Sequence, residues 1–141
     1  MAGPPVAAIN MIAIFMFAEE LKTIRQRLKP ALRSATSANA LAVRNAARAN
    51  WQAQSTGKTT SSYPRSITMS VTGSSAAYCR AEIGPERGNA EPKRQSTKML
   101  GYILEYGTAK TPPHPHLIPA WQAQEQPFIQ AIGDAAMLAL L

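Results

Sequence analysis

From Leu21 to Ala81 the chain contains no Asp or Glu at all, against ten Lys or Arg. A solvated surface ordinarily mixes the two signs, so this half of the molecule suits an acidic partner: nucleic acid, an anionic surface or an acidic protein. Cysteine is almost absent. The single Cys79 excludes an internal disulfide framework and leaves the redox compartment open. Histidine is limited to His114 and His116, which cannot complete a zinc shell without Cys, Asp or further His nearby. Aromatic residues make up 6% of the chain and are not interleaved with the basic ones, as a platform for single-stranded nucleic acid requires. Long apolar runs are missing too. Val6 to Ala18 includes Asn10 and is too short to span a bilayer. Met1 to Pro5 has no basic residue of the kind that opens a secretory leader. A soluble protein with no export signal and no membrane contact is expected.

With 141 residues and a net charge of +7, the chain is expected to form a single α+β domain over 1–141. A helical half covers 1–56; a hairpin, a loop, a proline-rich crossing and a C-terminal helix follow over 57–141. The first helix starts near Pro4 or Pro5. Ile14, Phe17, Leu21, Ile24 and Leu28 recur at steps of three and four and make one apolar stripe. Lys22, Arg25, Lys29 and Arg33 recur on another face, and Arg44 and Arg48 continue the basic character. These six are the candidate contacts for a partner or for DNA. Pro30 is expected to kink or restart the helix. Beyond it Ala31, Ala35, Ala38, Ala42, Ala46, Ala49 and Ala53 form a small-residue face, with Leu41, Val43 and Trp51 supplying bulk. Ser55-Thr56-Gly57 is the expected stop.

From Tyr63 the period changes to two. Ile67, Met69 and Val71 alternate with polar residues, Gly73-Ser74-Ser75 turns the chain, and Ala77, Cys79, Ala81 and Ile83 alternate in their turn. This predicts an antiparallel hairpin over about 65–84. Gly84 to Thr97 reads as a long polar loop. Residues 98–106 fit helix or strand; Leu100, Ile103 and Leu104 share a helical face, which favours a short helix. The C-terminal helix runs from about Pro119, with a kink or restart at Pro127 and a buried stripe of Phe128, Ile132, Ala135 and Ala139.

Catalytic patterns are not assembled. Thr56-Gly57-Lys58-Thr59 resembles the end of a phosphate loop but lacks its first glycine and follows a helix, where that motif needs a strand. Cys79 sits in a strand with no second Cys, as a small core residue would. Glu105 has no paired carboxylate in sequence, so it reads as an acceptor for backbone N–H groups or a partner for Arg. Neither a catalytic residue nor a cofactor or metal ligand is assigned, and an enzyme is not expected.

The most informative stretch runs from Met99 to Trp121. Tyr102, Ile103, Leu104 and Tyr106 carry its apolar surface, and Gly107 suits a positive-φ position. Pro112, Pro113, Pro115 and Pro119 stiffen the crossing that follows. Tyr102-Ile103-Leu104-Glu105-Tyr106-Gly107-Thr108, followed by Pro113-His114-Pro115-His116-Leu117-Ile118-Pro119-Ala120, resembles the signature of the tail-component family of long-tailed double-stranded DNA phages. That family includes relatives of the lambda minor tail protein Z. Upstream, Thr56-Gly57, Ser66-Ile67 and Ile83-Gly84 occupy similar places in the order of elements, so the likeness spans roughly residues 40–134. His116 stands where the family often has Phe, and Pro127 is unusual in its last helix. The motif positions carried over are Tyr102, Glu105, Tyr106, Gly107, Thr108, Pro113, Pro115, Pro119 and Ala120.

The resemblance implies a structural virion protein of the head–tail junction, a neck, tail-completion or tail-terminator-like subunit. It would act as a homo-oligomeric ring with six- or twelve-fold symmetry, beside other neck proteins (adaptor or stopper) and the tail tube protein. Non-specific contact with passing DNA and assembly in the host cytoplasm would follow. The alternative left by composition alone is a small basic nucleic-acid-associated protein.

Overall fold

The computed structural model describes residues 6–54, 63–73, 78–86 and 97–141. Its elements are helix α1 (Val6–Gln54), the single turn α2 (Tyr63–Ser66), strands β1 (Ile67–Thr72) and β2 (Arg80–Pro85), and helices α3 (Thr97–Tyr106) and α4 (Leu117–Leu140). Mainly helical, with one two-stranded antiparallel sheet, this is the expected α+β fold. Pro4 and Pro5, the Ser55-Thr56-Gly57 stop, the Lys58-Thr59 pair, Ser74, Ser75, Ala77 and most of the polar loop lie outside the described residues.

Helix α1 is continuous for 49 residues, about 74 Å at 1.5 Å per residue. Pro30 lies inside it and does not restart it. Proline removes the donor for the carbonyl four residues back, here Gln26. Pro30 and Gln26 are both exposed, so water can serve that carbonyl. Pro127 is likewise exposed within a continuous α4.

The two long helices run antiparallel. Asn39 pairs with Gln124 at 2.9 Å, and Asn50 Nδ2 donates to the His116 carbonyl at 3.2 Å. Small residues line the contact: Ala40 and Ala47 on α1, and Ala120, Ala135 and Ala139 on α4, all buried. The face of α1 that is buried is not the alanine series expected from sequence. Thr36, Ala40, Val43, Ala47 and Trp51 are inside, whereas Ala38, Ala49 and Ala53 are exposed. On α4 the expected stripe is in place, with Phe128 and Ile132 half-buried beside Ala135 and Ala139.

The hairpin pairs Ile67 with Pro85 through Thr72 with Arg80. Strand β2 therefore begins at Arg80, and the connection from Thr72 is longer than a three-residue turn. Alternation holds as expected: Ile67, Met69, Val71, Ala81 and Ile83 are buried or half-buried, and Ser70, Thr72, Arg80 and Glu82 are exposed. The inner face packs on α1. Val43, Ala47, Trp51, Tyr63, Ile67, Leu104 and Ala120 form the core, with Ile83, Leu100 and Leu117 against it. Each large apolar member contributes roughly 1.5–3 kcal/mol by leaving water.

This core occupies the C-terminal end of α1. Continuing the antiparallel register, Leu140 comes level with about residue 24 of α1. Ile24 and Leu28 are half-buried there, but every described side chain from Asn10 to Thr23 is exposed. The first 18 described residues of α1 therefore project beyond the body by about 27 Å. The stripe of Ile14, Phe17 and Leu21 exists, but no other described element covers it.

Candidate functional site: the corner between α3 and α4

Helix α3 stops at Gly107, whose φ is +74°. Its N–H donates to the Ile103 carbonyl at 2.7 Å, the bond of a left-handed helix cap. A Cβ at this position would lie 2.8 Å from both the Pro113 nitrogen and the Thr111 carbonyl oxygen. Glycine is therefore required twice, for its conformation and for its size. Thr108 then closes a small turn: its N–H donates to the Thr111 carbonyl at 2.8 Å, and its Oγ1 accepts from the Thr111 N–H at 3.1 Å. The His114 N–H donates to the Leu104 carbonyl at 2.6 Å, laying the proline crossing back along α3.

The crossing ends at Glu105. This buried carboxylate accepts from three consecutive backbone N–H groups at the start of α4: His116 at 2.9 Å and Leu117 at 3.0 Å on Oε2, and Ile118 at 2.8 Å on Oε1. The first turn of a helix leaves its N–H groups without intrahelical partners. His116, at the cap position, makes no side-chain cap. Glu105 does that work from the preceding helix, and Pro119 in the same turn has no N–H to satisfy. A negative charge also complements the positive end of the helix dipole. Sequence reading anticipated Glu105 as a backbone acceptor, though not which donors it serves.

The His116 ring is fully buried. Its Nδ1 lies 2.9 Å from the His114 carbonyl oxygen and 3.1 Å from Glu105 Oε2. Both neighbours are acceptors, so Nδ1 carries the hydrogen. Its Nε2 lies 2.8 Å from the Tyr63 hydroxyl and in the neutral ring accepts from that phenol. Burial, reinforced by the Glu105 carboxylate, pushes the Tyr63 phenol well above its ordinary range. Trp51 closes the group edge-on, with ring centroids 5.0 Å from Tyr63 and 5.2 Å from His116. Gln54 Nε2 donates to the Pro115 carbonyl at 2.8 Å, so the last turn of α1 grips the same crossing. Among the described residues no fully buried side-chain nitrogen or oxygen is left without a partner. The group holds two helices together, and its side chains line neither of the clefts beside the hairpin.

Two of the motif aromatics face outward. Tyr102 and Tyr106 are exposed, with ring centroids 4.9 Å apart on the outer side of α3, so of the expected apolar set only Leu104 is fully buried. Thr108, Pro113 and Pro115 are exposed, Pro119 is half-buried and Ala120 is buried. The six basic candidates do not gather into one patch. Lys22, Arg25, Lys29 and Arg33 are exposed along α1. Arg44 is half-buried and bonds Asn45 Oδ1 at 3.2 Å. Arg48 turns inward, its Nη2 donating to the Ile67 carbonyl at 2.6 Å and tying α1 to the start of β1.

Sequence reading missed Tyr63 as a partner of His116, and also Gly101. A Cβ on Gly101 would meet Pro85 Cγ at 2.5 Å and the Tyr63 oxygen at 3.0 Å, so this glycine lets α3 approach β2. A glycine inside an apolar helical pattern was the available signal. Two open clefts flank the hairpin: one of about 930 Å³ beside Arg44, Ser70 and Glu82, and one of about 310 Å³ between α1, β2 and α4. Among the described residues no three His, Cys, Asp or Glu side chains converge as metal ligands would, and no helix is long and apolar enough to cross a membrane. Comparison of the chain with models of protein families, with curated proteins and with solved structures finds no match.

Proposed function

We propose that this chain is a structural subunit of the phage head–tail junction, assembling as a homo-oligomeric ring that joins the DNA-filled head to the tail tube, with neighbouring neck proteins on either side. The observation that carries the reading is the Met99–Trp121 corner. The residues of the family resemblance, Glu105-Tyr106-Gly107-Thr108 and Pro113 to Ala120, are contiguous in space. The Glu105 carboxylate and the backbone of this stretch fix α4 against α3. A corner of this kind makes no bond and breaks none; it sets the angle of the surfaces beside it. A cyclic ring needs two unlike surfaces on each copy, and uncovered apolar residues occur on α1, α3 and α4.

Negative-stain images of the purified chain should contain closed rings, and particles made without it should separate into filled heads and free tails. Intact, infectious particles lacking the protein would overturn the proposal. The exposed stripe of Lys22, Arg25, Lys29 and Arg33 favours a second reading, non-specific contact with duplex DNA. If it holds, retention of DNA should fall steeply with salt, since each phosphate contact releases a counterion. Retention of duplex DNA at physiological salt by a monomer would favour the nucleic-acid reading over the ring.

A further inference from the structure

The outer part of the projecting segment, Met11 to Phe17, is apolar on every side. Met11, Ile12 and the run Ile14 to Phe17 are 57–65% exposed. Four consecutive helical positions sweep roughly 300°, so no polar face is left for water. A helix apolar all round is normally buried. The smaller cleft offers a largely apolar wall elsewhere on the molecule. Ala40, Val43, Cys79, Ile83, Trp121 and Phe128 line it, and Trp121 is itself 42% exposed beside Phe128. The segment cannot fill its own cleft: Phe17 and Ala40 lie on one continuous helix, about 35 Å apart along its axis.

We propose that the apolar segment of one copy docks in this cleft of a second copy, a head-to-tail contact. The contact rests on the reading of the chain as a ring subunit, because two unlike surfaces on one rigid element are what a cyclic assembly uses. Three observations select a second copy as the occupant. The apolar stripe Ile14-Phe17-Leu21 continues the face of α1 that α4 covers further along, so it already has the shape of a helix-packing surface. Glu19 and Glu20 sit at the base of the segment and are the only acidic residues of α1. They would be brought to a body whose charged residues from Leu21 to Ala81 are all cationic, Arg80 in the cleft wall among them. Finally, at about 100 Å² apiece, the three side chains of that stripe would bury on the order of 300 Å² per copy, an apolar centre for an interface of about 800 Å² per side. The same two carboxylates would face an anionic membrane surface unfavourably.

Cys79 is the chain's only cysteine, is half-buried in the cleft wall, and serves as a reporter. Met11→Cys, Phe15→Cys and Phe17→Cys, each in the full chain, should give with a mild oxidant a reducible ladder of dimers, trimers and larger species on a denaturing gel. The ladder should disappear when Cys79→Ser is added. Phe17→Glu, at an exposed site, should leave the helical circular-dichroism signal intact and lower the mass found by light scattering. Dimers only, persisting with Cys79→Ser, would mean that two segments pair with each other and would overturn the proposal. So would a monomer that forms no crosslink and instead sediments with phosphatidylglycerol vesicles. Rings of discrete mass without a Cys79-dependent ladder would leave the ring reading standing while this contact falls.

Discussion

Replacing Glu105 by Gln tests the corner with a change of very few atoms. The carboxylate serves three N–H groups through two oxygens. The amide has a single oxygen, and its NH₂ must face at least one of those donors. One charged hydrogen bond, worth about 1.5–3 kcal/mol, is lost, and one buried N–H is left without an acceptor. Removing the charge from the helix N-terminus costs a further ~0.3–2 kcal/mol. These contributions overlap, so the expected loss is roughly 3 kcal/mol, and somewhat more for Glu105→Ala, which leaves all three donors unserved. For a domain of this size that corresponds to about 10 °C in Tm. Urea unfolding followed by far-ultraviolet circular dichroism, and by the fluorescence of Trp51 beside the corner together with Trp121, measures it directly. If Glu105→Gln unfolds within about 0.5 kcal/mol of the parent, a typical surface substitution, the account of α4 as a helix capped from α3 is wrong.

Tyr63→Phe should cost about 1–3 kcal/mol at neutral pH, because His116 Nε2 loses its only donor while remaining buried. The folded-state pKa of this phenol is raised, so its contribution is intact below the unfolded value near 10 and is lost as pH rises above it. Between pH 9 and 11 the stability gap between parent and variant should narrow by about 1 kcal/mol; a constant gap refutes the shift. Gly107→Val should destabilise by at least 1–3 kcal/mol for its positive φ alone, with the clash against Pro113 and Thr111 added, and a neutral result would remove the left-handed cap. Gly101→Ala should also destabilise, although alanine is the better helix former, because Pro85 and Tyr63 stand where the methyl group goes; a gain in Tm would show that α3 does not approach β2 this closely.

Features set by near neighbours in the chain were legible. The alternation of Ile67, Met69 and Val71, the stripe from Phe128 to Ala139, the helix over 98–106 and the positive φ of Gly107 all follow from local spacing or backbone sterics. What was not legible depended on distant partners. Tyr63 and His116 are 53 residues apart, and no spacing rule connects a phenol to an imidazole at that range. The buried face of α1 was misplaced because alanines occupy every side of that helix, so their period carries little information; of the three bulky members Val43 and Trp51 mark the face, whereas Leu41 is exposed. The stripe of Ile14, Phe17 and Leu21 has a true helical period, yet periodicity says only that a face is apolar and not whether the same chain covers it. At Pro30, local chemistry argued for a kink or a restart, and solvent exposure of the affected carbonyl lets the helix continue without a restart.

A single unbroken α1 has a geometric consequence for any assembly built from this chain. It acts as a gauge rod: the uncovered tip and the α1 wall of the smaller cleft belong to one continuous helix, so the offset between successive copies is written into the number of residues between them. Removing seven residues from the exposed stretch would shorten the rod by two turns while keeping the same side facing inward. Removing two would rotate the tip away by more than half a turn. The reach and the azimuth of a neighbouring copy are thus separately adjustable from the sequence of one helix.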